Sequence, residues 1–83
     1  MTQTSSLAGV LERALTDAAA DGRDLTPVSL TLDYGVGGDP GQVTIAARVD
    51  RATRSLVFAH GEALLPDGRR AASASAVFRV KGT

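Results

Sequence analysis

The sequence predicts an α+β domain, one helix followed by four antiparallel strands, and three observations carry that expectation. Apolar residues recur with helical spacing as far as Ala18, the period changes to two from Pro27 onward, and clusters of Gly, Pro and Asp divide the remainder into four stretches. A single helix ahead of such a run of strands must cover one sheet face, which gives a two-layer unit.

Thr4, Ser5 or Ser6 supplies the hydroxyl that accepts from the exposed N–H groups of a first helical turn. Leu7, Val10, Leu11, Ala14, Leu15 and Ala18 then form one broad apolar stripe, and Gly22 is suited to the left-handed residue that ends many helices, so the helix is expected over about 6–21. Glu12, Arg13 and Thr16 mark its polar face, while Ala8, Gly9, Ala19 and Ala20 are small enough to allow close approach. The first strand is expected over 27–36, with Val28, Leu30, Leu32 and Tyr34 on one side and Ser29, Thr31 and Asp33 on the other. The Gly-rich segment 35–41 is too turn-prone to continue a ladder, and it carries no phosphate-loop lysine.

The second strand, 42–51, alternates Val43, Ile45, Ala47 and Val49 with polar or small residues. The third, 55–65, is apolar on both faces, as a central strand would be. Pro66-Asp67-Gly68 is a hairpin signal, and the fourth strand, 69–80, sets Ala72, Ala74, Ala76, Phe78 and Val80 against Ser73 and Ser75. Read as a simple meander, this order leaves the alanine-rich fourth strand at an edge, available for pairing with a second copy.

Composition narrows the function classes. The 83 residues suffice for one domain and one small core. Without cysteine there are no disulfides, thiolate zinc sites or cysteine nucleophiles, and with His60 as the only histidine no multi-histidine metal site forms within one chain, so no metal and no cofactor are expected. Self-association is the remaining way to enlarge the core. Nine basic residues balance nine acidic ones, and Tyr34, Phe58 and Phe78 are the only aromatics, a poor footprint for nucleic acid. No apolar run approaches the roughly 20 residues of a membrane span and the first residues resemble no leader, so a cytoplasmic location without membrane attachment is expected.

From Pro27-Val-Ser-Leu-Thr-Leu-Asp-Tyr34, through Pro40-Gly41, Ala46-Ala-Arg-Val-Asp-Arg51, Arg54-Ser-Leu-Val-Phe58 and Pro66-Asp-Gly68, to Arg70-Ala-Ala-Ser-Ala-Ser-Ala-Val-Phe78, the chain resembles the C-terminal two-thirds of hotdog-fold acyl-CoA thioesterases. The likeness runs over about residues 7–80 and is greatest to the phenylacetate-pathway and 4-hydroxybenzoyl-CoA type. It implies a central helix wrapped by an antiparallel sheet, subunits paired edge to edge in at least a homodimer, and an acyl-CoA thioester, with coenzyme A as part of the substrate, held at the subunit interface.

The family carries a His-Gly-Gly turn at the helix start and an acidic residue nine positions after that His. This register implies Asp17 as the carboxylate, a general base for water or a nucleophile, with Gly9 at the first glycine as the amide that polarises the thioester carbonyl. It also puts Ala8 where the family has His and Val10 where it has the second glycine, and only residues 1–6 stand where the family has an N-terminal strand. The resemblance further implies that Arg48, Arg51 and Arg54 lie near the CoA phosphates and that Tyr34 and Asp33 end a strand lining the acyl pocket, although Tyr34 reads first as a core residue. His60, with no evident partner, is expected to be structural or superficial. A noncatalytic acyl-, CoA- or protein-binding module on the same fold is the first alternative, and a cystatin-like interaction domain, which shares the order αββββ, is the second.

Overall fold

A computed structural model of the chain describes residues 6–81, so the possible caps Thr4 and Ser5 and the tail residues Gly82 and Thr83 lie outside the described residues. Helix α1 spans Leu7–Ala20. Ser6 caps it: its backbone is extended and its hydroxyl accepts from the N–H of Gly9 at 3.0 Å, one of the donors a helix start leaves without an internal partner. At the far end Asp21 is already left-handed (φ 45°), one residue before the expected Gly22 (φ 81°), and Arg23 N–H donates back to the Ala20 carbonyl at 2.8 Å.

The strands are β1 (Leu25–Tyr34), β2 (Thr44–Ala52), β3 (Leu56–Leu64) and β4 (Arg70–Val80), with one 3-10 turn at Pro40–Gln42 between the first two. All pairings are antiparallel, and the sheet order is β1-β4-β3-β2. β3 is central, as expected, but β4 is not an edge: it lies between β1 and β3, and the edges are β1 and β2. The chain therefore crosses from one edge to the other between Tyr34 and Thr44 instead of turning back as a meander. The alternating alanines of β4 read as a weak edge because each buries little area. Their smallness serves instead to bring the helix close, with Ala71, Ala72, Ala74 and Ala76 all buried, and a strand so buried needs partners for its backbone groups on both sides.

Strand β1 starts at Leu25, two residues before the expected Pro27. Proline lacks an N–H for a ladder, and it is accommodated here on an edge strand beside a bulge between Pro27 and Ser29. At the other end, an added Cβ on Gly35 would collide with the Arg70 carbonyl oxygen. The glycine lets Gly35 N–H and Val36 N–H donate to Ala71 and Arg70 at 2.9 and 3.0 Å. The β3–β4 hairpin is tied by Asp67, which accepts from the backbone N–H of Arg69 and pairs with its guanidinium, and these contacts lower the Asp67 pKa.

The core lies between α1 and the sheet. Leu7, Leu11, Leu15 and Ala19 are buried at a spacing of four, against Val57, Ala59, Ala63, Ala72, Ala74, Ala76 and Phe78. Val10, Ala14 and Ala18, the rest of the expected stripe, are only half-buried. Gly61 on β3 makes room for the helix, since a Cβ there would come within 3.1 Å of Leu15 Cδ2 and 3.6 Å of Leu11 Cδ2. The helix packs on β2, β3 and β4 and scarcely touches β1. Consequently Leu30 and Tyr34, whose ladder partners Ala76 and Ala72 are buried, remain 40% and 65% exposed. Tyr34 is thus not a core residue: the helix scarcely reaches its strand.

Candidate functional site

Gly9, Glu12, Arg13, Thr16 and Asp17 line an open depression of about 420 Å³ on α1. They occupy the helical turn positions left over by the buried leucines, so the depression lies on the side of the helix turned from the sheet. Asp17 is exposed there. Thr16 Oγ1 donates to the Glu12 carbonyl at 2.8 Å, which leaves its lone pairs available to the depression.

Asp17 stands eight positions after Gly9, about 12 Å of helix rise. A base and an oxyanion donor must each come within about 3 Å of one reacting centre. The two residues of one chain therefore do not converge on a single carbonyl. The Gly9 N–H is also engaged by the Ser6 hydroxyl, and the helical bonding rule leaves the Leu7 and Ala8 N–H groups as donors without an acceptor inside the helix.

Arg48 and Arg51 stand on one sheet face, opposite His60 and Phe58 two positions apart on β3. Arg48, opposite His60, lies on the sheet face turned from the helix, ion-paired with Asp50 at 3.1 Å. Arg51 follows the β2 bulge opposite Phe58, and Arg54 sits in the β2–β3 turn. This end of the sheet carries the start of β1, hence the C-terminal end of α1, whereas Tyr34 and Gly9 lie toward the opposite end. Register adds one cation that sequence proximity concealed: Arg79, opposite Leu56, stands at the same end and on the same face as Arg51. The period-two pattern of β4 was the signal for it, but only the β3–β4 register brings it within two ladder positions of Arg51.

His60 does have a partner. Its Nδ1 lies 3.1 Å from Ser75 Oγ on the outer sheet face, and Glu62 pairs there with Arg70 at 3.0 Å. Both contacts join β3 to β4, away from the helix and Asp17. Among the described residues no group of His, Asp and Glu is arranged to hold a metal ion. No described helix is long and apolar enough to cross a membrane.

The fold, with its single helix laid on a β1-β4-β3-β2 sheet, is that of thioesterase-superfamily (hotdog) proteins. A solved thioesterase-superfamily protein superposes with a TM-score of 0.80 at 25% identity, over 90% of this chain and 58% of its own. A Bacillus halodurans protein solved with CoA gives 0.73 at 19% identity, over 88% and 54%. A Streptococcus mutans protein bound to acetyl-CoA gives 0.73 at 16%, over 87% and 59%. The chain thus spans somewhat more than half the length of these neighbours. No family model and no curated protein matches the sequence.

Proposed function

We propose that the protein binds an acyl-CoA thioester at an interface between two copies and hydrolyses it, Asp17 of one copy acting on a carbonyl held at the helix start of the other. The observation that carries this reading is the separation of Gly9 from Asp17 by about 12 Å along a rigid helix, on a fold shared with proteins solved with CoA and acetyl-CoA. Two antiparallel helices related by a two-fold axis bring the start of each toward the end of the other, where Asp17 lies, a relation that one chain alone lacks. The exposed β1 edge is the place for the pairing, because Leu30 and Tyr34 lie uncovered beside it and would line the acyl pocket once a partner strand is added.

The chemistry is simple hydrolysis. The Asp17 carboxylate takes a proton from water as the oxygen attacks the thioester carbonyl, the oxyanion is met by N–H groups of Gly9 or its neighbours at the positive end of the partner helix, and the CoA thiol leaves with a proton. Free-thiol release from a panel of aryl and short-chain acyl-CoA esters is the direct test. No release above background from any ester rejects hydrolysis and leaves the noncatalytic acyl- or CoA-binding module, a reading favoured by Ala8 in place of the family's histidine.

Arg51 and Arg54, free of ion pairs among the described residues, are the groups we assign to the CoA phosphates. Arg51→Ala combined with Arg54→Ala is expected to weaken CoA binding by about tenfold or more, with the loss shrinking as salt rises, since exposed charges are screened beyond about 8–10 Å at physiological ionic strength. Titration calorimetry at low and high salt checks this. An unchanged dissociation constant removes the arginines from the site.

A further inference from the structure

One basic side chain, Arg13, lines the depression on α1 beside Asp17. Gly9, Arg13 and Asp17 follow one another at a spacing of four, so they form a single row along the exposed side of the helix with Arg13 midway. Side chains four apart on a helix stand about 5–6 Å from Cβ to Cβ. Arg13 and Asp17 can therefore reach one reacting centre together, which Gly9 and Asp17 of the same chain do not. Because both belong to one helix, their spacing is the same in any assembly.

Arg13 is also free to act. It is exposed and makes no ion pair among the described residues. Its neighbours one turn away are Gly9, Val10, Thr16 and Asp17, and Glu12, one position before it, does not face it. The one acidic neighbour, Asp17, follows the arginine along the helix, which is the less favourable order for an ion pair four residues apart. A guanidinium with five donors and no acceptor thus stands beside the carboxylate without being tied to it. The helix start is poorer in donors: the Gly9 N–H is engaged by the Ser6 hydroxyl, and Ala8 has no side-chain donor. Negative charge on a thioester oxygen in this depression meets its strongest donor in Arg13, since hydrogen bonds between ionised groups are about twice as strong as neutral ones.

We propose that Arg13 holds the thioester carbonyl oxygen beside Asp17 and stabilises the oxyanion, a role that rests on the hydrolysis reading and adds a charged donor to the N–H groups of the partner helix. As Asp17 takes a proton from water, the water oxygen bonds to the carbonyl carbon and the C=O π pair moves onto the oxygen facing the guanidinium. When that pair returns, the C–S bond breaks and the thiolate takes the proton from Asp17. The products are the carboxylic acid and CoA, with Asp17 as it began.

Arg13→Gln tests the contact, because glutamine is a good helix former and the position is exposed, so the unfolding midpoint should not move. Thiol-release kinetics should show kcat lowered by about 10²–10³, the usual loss when an oxyanion donor is removed, with KM changed less than about threefold. Arg13→Lys, which keeps the charge but not the planar fork, should recover part of that loss. Calorimetry supplies a readout that needs no turnover. A methylphosphonate thioester of CoA is tetrahedral and anionic at phosphorus where the carbonyl carbon would be, and Arg13→Gln should weaken its binding about tenfold or more while leaving the affinity for CoA itself unchanged.

If the parent releases thiol and Arg13→Gln does so equally, Arg13 is not the oxygen contact while hydrolysis by Asp17 stands. A loss confined to KM, or an equal loss of affinity for CoA and for the phosphonate, likewise overturns the proposal, since the arginine would then hold another part of the ligand. If the parent releases no thiol yet binds the phosphonate in a way that depends on Arg13, hydrolysis fails and the Arg13 contact stands. No thiol release together with phosphonate binding indifferent to Arg13 overturns both.

Discussion

Asp17→Asn is expected to lower acyl-CoA turnover by about 10²–10⁴, the usual contribution of a positioned general base, while the unfolding midpoint stays where it was. The substitution keeps the size of the side chain and its capacity to hydrogen-bond but removes the proton acceptor. Stability should not follow, because Asp17 is exposed on the helix and makes no ion pair among the described residues. Thiol release and urea denaturation on the same preparation check both halves. Equal turnover in the two proteins would reduce Asp17 to a surface residue. A parallel loss of turnover and stability would make its role structural.

Leu15→Ala should have the largest effect on stability. Leu15 is fully buried at the centre of the helix–sheet contact, with Cδ2 above Gly61, and that glycine has no side chain with which to fill the space left behind. A leucine-to-alanine change at such a site costs about 2–5 kcal/mol. An 83-residue domain has about 4–12 kcal/mol in all, at roughly 0.05–0.15 kcal/mol per residue. The urea midpoint should therefore fall by about a sixth or more with little change in slope, at fixed protein concentration because association contributes to apparent stability. A cost below about 1 kcal/mol would mean that the helix does not rest on Gly61 as described.

Much of this architecture is legible in the chain itself. The spacing from Leu7 to Leu15, a hydroxyl at Ser6 and the Asp21-Gly22 end determine the helix, since each acts within a turn or two of backbone. Alternation and turn residues likewise determine that four strands follow and that β3 and β4 form a hairpin, with the observed ends within about two residues of those expected. The carboxylate at position 17 and the absence of cysteine are equally properties of the sequence.

Strand order is another matter. Whether β1 pairs with β2 or with β4 depends on which arrangement buries Ala72, Ala74, Ala76 and Phe78 beneath Leu11 and Leu15, a balance of contacts distant in the chain that no local pattern records. From that one choice follow the exposure of Tyr34, which alternation alone would bury, and the removal of β4 from the edge. Neighbouring residues set the elements and their chemistry, because short-range sterics and hydrogen bonding act over a turn or two of chain. Which strands flank the described sheet and which side chains share a face is set by long-range packing, because a helix covers three strands and the burial of small residues at the centre of the sheet decides which three.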